Sequence, residues 1–463
     1  MLGLFGILLS LGLLMYLAYK GHSVIVLAPL LAMVAVVVSG EGNMMLGVYT
    51  QIFMEGLGGY AIKYFPLFLL GAIFGKLMDD SGAARSIAYW LVNRLGPKQG
   101  LLSIVLACGI LTYGGVSLFV VGFAVFPIAA AMFREAGIPK RLIPGVIVLG
   151  ALTFTMTALP GTPAIQNAIP MPFFKTDAFA APGLGVIAGV VMFVGGMLWF
   201  RYRLKQASLA GEGYGQHEQE VVQTQRQHND PPIALALLPI VLVIIGNFML
   251  TKWVIPSMDT AYLAETKFGN SSLSAVIGLW AIIVALLLAC VVLIATNWRR
   301  WRNLKETINQ GALGSLLPIF NTASEVGYGS VIASLAGFSM MQTFLVGLSP
   351  GNPLISEAIV VNVLAGITGS ASGGLSIALN TMGETYLALG SQFNISPELM
   401  HRVASLASGG LDSLPHNGAV ISILAICGLT HKTSYLDIFV VAVLVPLVAL
   451  VAVIGLGTAF GSF

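Results

Sequence analysis

The chain has 463 residues, of which 57% are hydrophobic and 9% charged, with a net charge of +3 and a mean hydropathy of +0.90. A soluble domain carries roughly 25% charged residues, so this composition excludes a water-solvated surface and points to lipid as the solvent. No basic block resembles a nucleic-acid patch, and Cys108, Cys290 and Cys427 stand in apolar runs with no CxxC or Cys/His cluster, so neither a disulfide framework nor a metal or cofactor site is indicated.

Residues 2–19 are apolar and end at Lys20 without a basic leader or a small-residue cleavage site, which reads as a retained helix and not a signal peptide. Spanning helices are expected at 2–19, 23–40, 62–79, 140–168, 182–200, 233–255, 273–296, 313–335, 398–430 and 435–460, the fold class being an all-α polytopic membrane protein. Segments 44–58 and 81–95 look amphipathic and suit the membrane interface. The glycine pairs Gly71/Gly75 and Gly185/Gly189 suit close helix packing.

Two further apolar stretches, 98–136 and 352–390, are too long for one helix and too short for two full spans with loops. Their centres are small and polar, Thr112-Tyr-Gly-Gly-Val-Ser117 and Thr368-Gly-Ser-Ala-Ser-Gly-Gly374. Two half-length limbs meeting at such a tip describe a re-entrant hairpin, which membranes tolerate where the tip is buried in protein or lines a wet cavity. A pair of ordinary short helices is the other reading.

Charge tests the arrangement. With the N-terminus outside and both hairpins returning to the side they left, 17 of the 22 Lys and Arg fall on one face; Lys63, Lys175, Lys252, Lys267 and Arg402 fall on the other. That asymmetry satisfies the positive-inside rule, with both termini extracytoplasmic and the polar linker 205–231 cytoplasmic. His217 and His228 in the linker read as solvated spacers.

The halves on either side of the linker, 1–204 and 232–463, match in order. Pro66 and Pro318 each open a helix 252 residues apart, the tips at Thr112 and Thr368 lie 256 apart, and Leu159-Pro160 and Leu414-Pro415 lie 255 apart. Each half has five crossings, an odd number, so the second is inverted relative to the first. Inverted repeats with discontinuous helices mark secondary transporters that bind substrate near the midplane.

Those discontinuities are legible. Thr155-Met-Thr-Ala-Leu-Pro-Gly-Thr-Pro163 interrupts helix 140–168, and Asp412-Ser-Leu-Pro-His-Asn-Gly418 interrupts helix 398–430. Proline removes a backbone donor and glycine permits the unwound geometry. A half-helix N-terminus then offers N–H groups and partial positive charge to a carboxylate; a proline kink repaired by its neighbours is the alternative. The candidate substrate cradle comprises Tyr113, Gly114, Gly115 and Ser117 of the first tip; Thr157, Gly161, Thr162 and Asn167 of the first break; Thr368, Gly369, Ser370 and Ser372 of the second tip; and Ser413, Asn417 and Gly418 of the second break. Asn167 and Asn417, which follow the two breaks, could bind substrate or cap a half-helix.

No Arg or Lys falls securely within a predicted span, which favours a small monoanion held by backbone and polar side chains. Intramembrane ionisable groups are costly and usually functional. Glu325, Asp412 and His416 are the candidates for proton coupling; Glu384 suits a solvated position nearer the interface. Asp412 and His416, four apart, share a face if the helix persists; a structural hydrogen-bonded pair is the other reading.

The strings TYGGVSLFVVGFAVFPIAAAMFREAGIPKRLIPG, TMTALPGTPAIQNAIP, PIFNTASEVGYGSVI and ITGSASGGLSIALN resemble the gluconate permease (GntP) family of the ion-transporter superfamily, over essentially the whole chain. The resemblance implies proton-coupled uptake of a small hydroxy acid by a homodimer whose hairpins and broken helices move as an elevator. Gluconate-type members carry an HGFLPPHPGP-like first break; TFTMTALPGTPAIQN lacks both histidines, and the strings look closer to the 3-hydroxybutyrate permease branch. Two other classes stay open at this point. A sodium-coupled carboxylate transporter could use the same tips, and Gly115-Val-Ser117 with His416 could be imagined as an intramembrane serine enzyme, although GxSxG and HExxH are absent.

Overall fold

The computed structural model describes residues 2–96, 99–215, 230–347, 349 and 351–463. His217 and His228 lie outside the described residues. Among the described residues every regular element is a helix.

Among the described residues seven helices are long and apolar enough to cross a bilayer, and an eighth span results if Leu304–Ser334 and Phe338–Gly347, bent by 96° at their junction, are taken together. This is fewer than the ten expected crossings, and the reason is physical. The expected span 398–430 is delivered as two half-length pieces, Pro397–Ser408 and Gly418–Ile426. Leu2–Tyr19 is a helix of 18 residues as expected, and Val24–Val38, also a helix as expected, is shorter than a full span at 15 residues. Segment 44–58 is corrected: it is no separate interfacial helix but the start of one helical rod, Gly42–Asp80, of 39 residues. Pro66 therefore sits inside that rod and opens nothing.

Both small-residue centres are turns between paired helices. The first joins Gly100–Tyr113 to Leu118–Glu135, and the second joins Pro353–Thr368 to Ala371–Gln392. At 1.5 Å per residue the first limbs reach only about 21 and 24 Å, short of a ~30 Å hydrocarbon core. Leu118–Glu135 is itself long enough to cross.

Glycine lets the second pair of limbs touch backbone to backbone. A Cβ on Gly374 would overlap the Ala365 backbone of the facing limb. Ordinary overpacking costs about 1–3 kcal/mol, and backbone yields less than a side chain does. Gly374→Ala is expected to cost at least that range and to part the limbs, read as a lowered thermal midpoint of the purified protein.

Gly185 and Gly189 pack closely as expected. Added Cβ atoms there would meet Ala158 O and the Leu159 side chain, so helix Pro182–Leu209 is held tight against the first break. Gly71 has open space around its Cβ position and Gly75 only ordinary contact, so that pair seats no close crossing.

Charges gather at two ends. At the linker end Arg141 pairs with Glu212 at 2.7 Å and with Asp437 at 3.2 Å, Arg203 pairs with Asp437, and Arg85 pairs with Asp230. The Arg141 guanidinium holds the Glu212 carboxyl below its ordinary range. At the far end Lys252 pairs with Asp177. Gly3 approaches Gly337, and the Phe463 carbonyl accepts from Gly183, which puts both termini at the end away from the linker.

Candidate functional site

The first break begins where helix Phe154–Thr157 stops, and regular helix resumes at Ile165. Gly161 turns the chain with φ +81°. The Tyr113 hydroxyl at the first hairpin tip donates to Pro160 O at 2.6 Å, tying tip to break. Gly115, with φ +95°, sits against Pro163 and Leu286. Gly114 sits against Ile240. Ser117 caps helix Leu118–Glu135 through Val120 N.

Almost every polar group at this break already has a protein partner. Gly161 N donates to Ala178 O, and Gly161 O accepts from Asn247 Nδ2. The Thr162 hydroxyl accepts from Ala164 N. Asn167 Nδ2 donates to Thr162 O and Ala178 O, which turns its Oδ1 toward His401 Nε2 at 3.2 Å. That oxygen only accepts, so Nε2 carries the proton and Nδ1 accepts from Thr176, 2.6 Å away. Asn167, expected as a substrate ligand, is here a strut.

Arg402 is the largest correction to the sequence reading. It was expected at the outer face, and it is fully buried. Its Nε and Nη2 donate to Ala180 O at 3.1 and 2.8 Å, and its Nη1 donates to Thr157 O at 3.3 Å. Ser405 Oγ donates to the same Thr157 carbonyl at 2.9 Å. Thr157 is the last residue of its helical turn, the negative end of that dipole, so the guanidinium from the second half braces the break of the first. Among the described residues no carboxylate lies in salt-bridge range of Arg402. The available signal was the pair His401-Arg402 inside an apolar helical segment; its place within the first turns of a span made it look solvated.

The second break is wider than expected. Helix Pro397–Ser408 stops, a single turn follows at Leu411–Ser413, and helix resumes at Gly418. Asp412 and His416 therefore do not share a helical face. The Asp412 carboxylate accepts from the Ser413 hydroxyl at 3.1 Å, and the His416 ring lies against Gly369 instead. Asn417 Oδ1 accepts from Val420 N at 2.9 Å and caps the resumed helix, while its Nδ2 donates to Gly369 O at 3.0 Å. Each hairpin tip is thus hydrogen-bonded to the break in its own half.

The second tip is where polar groups are left over. Gly369 turns the chain with φ +65°, the Thr368 hydroxyl donates to Leu364 O, and Ser370 Oγ accepts from Gly373 N to start helix Ala371–Gln392. Glu325, from helix Leu316–Ser334, meets this start: a Cβ on Gly373 would overlap its carboxylate, and the Ser370 hydroxyl lies beside it. Thr322 and Ser372 hydroxyls are 3.1 Å apart. Yet Glu325 Oε2, Asn321 Oδ1, Ser376 Oγ, Tyr60 OH and His416 Nε2 are buried and make no hydrogen bond within 3.5 Å, with Ser376 and Thr322 only weakly engaged by the Tyr60 hydroxyl and the Gly366 and Ile367 backbone only weakly engaged by His416. An unpaired buried polar group costs about 1–3 kcal/mol, so several around one helix start mark a place shaped for a polar guest. Thr112 Oγ1 and Gln166 Oε1 are unpartnered in the first half. Tyr60 and Ser376 carry no sequence motif, and only packing brings them here.

Two other carboxyls stand apart. Glu357, not singled out in the sequence, is fully buried with both oxygens unpartnered, roughly 16 Å along its limb from the tip. Glu384 is exposed, as expected. Among the described residues no hydrogen bond joins Ser117 to His416, and no cluster of His, Cys, Asp or Glu could hold a metal ion.

Comparison with known proteins follows the same line. The model of the GntP family permeases matches residues 2–459. An uncharacterized transporter, YxjC, of Bacillus subtilis (strain 168) is 47% identical over 465 residues, covering 97% of this chain and 98% of its own length. A gluconate permease of the same organism is 30% identical over 237 residues, 48% of this chain and 51% of that protein. The crystal structure of the Alcanivorax borkumensis YdaH transporter has a TM-score of 0.56 at 15% identity, covering 91% of this chain and 89% of that one, a likeness of fold.

Proposed function

The chain belongs to the GntP family of permeases, a multi-pass membrane transporter and not an enzyme, and we propose on that premise that it moves a small hydroxycarboxylate anion, of 3-hydroxybutyrate size, together with a proton. The observation that carries this reading is the second hairpin tip. There an N-terminal helix start, suited to a carboxylate, stands beside Glu325 and several unpartnered buried polar atoms. The small size is supported by the first break, TFTMTALPGTPAIQN, which lacks the two histidines of gluconate-type members. The first break has used Gly161, Asn167 and the Thr157 carbonyl on its own bracing. The groups left at the second tip can partner a carboxylate and a hydroxyl, and a polyol acid would call on more of them, because each of its hydroxyls needs a partner once desolvated.

In this reading the basic end faces the cytoplasm across the inner membrane and both termini are extracytoplasmic. The two halves act as inverted repeats, and a homodimer carries the hairpins as an elevator. Gluconate, or another sugar acid, is a second substrate reading, favoured by the gluconate permeases among the relatives. Sodium in place of the proton is a second coupling reading, because hydroxyls and carbonyls at the tips could hold it.

Uptake of labelled 3-hydroxybutyrate into proteoliposomes under an imposed pH gradient tests the proposal. Saturable accumulation is expected, competed by unlabelled 3-hydroxybutyrate more strongly than by gluconate, lost with a protonophore and kept when choline replaces sodium. Stronger competition by gluconate would shift the substrate, and a requirement for sodium would shift the coupling ion.

A further inference from the structure

A cavity of about 510 Å³ opens beside the rod Gly42–Asp80, facing helix Leu316–Ser334, the second limb of the second hairpin and Phe173. Its wall includes Glu55, Tyr60, Lys63, Tyr64, Ser330 and Asn380. Tyr64 is about 24 Å along the rod from Asp80 at the linker end, so the cavity belongs to the opposite half of the bundle.

Three features give it a chemistry. Lys63 holds its ammonium over the Phe173 and Tyr64 rings, at 5.3 and 5.9 Å from their centroids, and among the described residues it makes no salt bridge. The one carboxylate on the wall, Glu55, lies two turns away on the same helix, roughly 12 Å along the axis. Tyr60, only 4% exposed, lines the cavity with a hydroxyl that makes no hydrogen bond within 3.5 Å and interacts weakly with Ser376 and Thr322. On its inner side that hydroxyl neighbours Ser376 and Thr322 and lies within electrostatic reach of Glu325. Tyr60 therefore stands between an open vestibule, with Lys63 one turn away and Glu55 farther along the wall, and the second hairpin tip.

We propose that this cavity is the entry portal for the anion from the face opposite the linker, with Lys63 drawing the carboxylate in and the Tyr60 hydroxyl passing it to the hairpin tip. The proposal rests on the reading of the chain as a carboxylate permease. A cation at the mouth of a low-dielectric cleft raises the local anion concentration and the on-rate, and salt screens the effect. Lys63 should then act on KM and leave the maximal rate alone.

The test uses the full chain in proteoliposomes. Lys63→Gln is expected to raise KM for the transported acid roughly tenfold with an unchanged maximal rate. The unaltered protein's KM should rise with salt, the variant's should not, and Lys63→Arg should restore both values. In a second arm, Gly59→Cys puts a thiol on an exposed position of the wall with open space around it, whereas Cys108, Cys290 and Cys427 are all buried. A membrane-impermeant maleimide should label the G59C protein, and saturating transported acid should slow that labelling at least severalfold. An unchanged KM in Lys63→Gln, or labelling indifferent to the acid, overturns the portal while the permease reading stands. Protection that follows anionic lipid and ignores the acid overturns it too and assigns the cavity to a lipid headgroup. If the unaltered protein takes up no carboxylate, the permease reading falls and the portal with it.

Discussion

Glu325→Gln is expected to abolish proton-driven accumulation of the substrate anion while leaving binding and exchange close to those of the unaltered protein. The substitution keeps the size of a fully buried side chain that meets the start of helix Ala371–Gln392. It removes the capacity to take up and release a proton, and the amide can still hydrogen-bond Ser370. One proton moving down one pH unit supplies about 1.4 kcal/mol, a roughly tenfold concentration ratio for one-to-one symport. The variant should collapse that ratio to one, measured as steady-state labelled acid inside proteoliposomes with and without the gradient. Asp412→Asn is the companion experiment. Accumulation retained in Glu325→Gln but lost in Asp412→Asn would move the proton to Asp412, whose carboxylate is engaged by Ser413.

The second large effect falls on Arg402. Arg402→Ala strips the donors from Ala180 O, removes one of two from Thr157 O, and empties space at the crossing of the two broken helices. With about 1–3 kcal/mol for each buried polar group left unpaired and a further loss of packing, a destabilisation of about 3 kcal/mol is expected, read as a lower thermal midpoint in detergent and as loss of transport. Arg402→Lys should recover only part of it, because a point ammonium cannot fork to two carbonyls as a planar guanidinium does. A midpoint for Arg402→Ala equal to that of the unaltered protein would show that the brace carries no weight.

Much of the second site was legible in the chain. Polar residues crowded into an apolar run, as in Asn321-Thr-Ala-Ser-Glu325, are expensive in lipid and stand out for that reason. Thr368-Gly369-Ser370 reads as a tip because glycine and hydroxyl residues end one helix and cap the next. Arg402 and Tyr60 were not legible. An arginine little more than one turn into a span and a tyrosine in a long rod have ordinary readings at an interface, and their burial depends on which distant helices cover them. The partners of Asn167 at Ala178 and His401 were not legible for the same reason.

The sequence by itself determined the solvent, the helical class, the two small-residue tips and the two proline breaks. These follow from transfer energies and backbone restrictions that act within one segment. The tertiary structure alone decided that both breaks are largely closed by hydrogen bonds and that unpartnered polar atoms gather around Glu325 at the second tip. It also decided that an arginine of one half braces the other, and that a tyrosine stands between a cavity and a hairpin tip. Those outcomes depend on contacts between helices hundreds of residues apart, where satisfying or orphaning a polar group is set by its neighbours in space, and no local pattern encodes them.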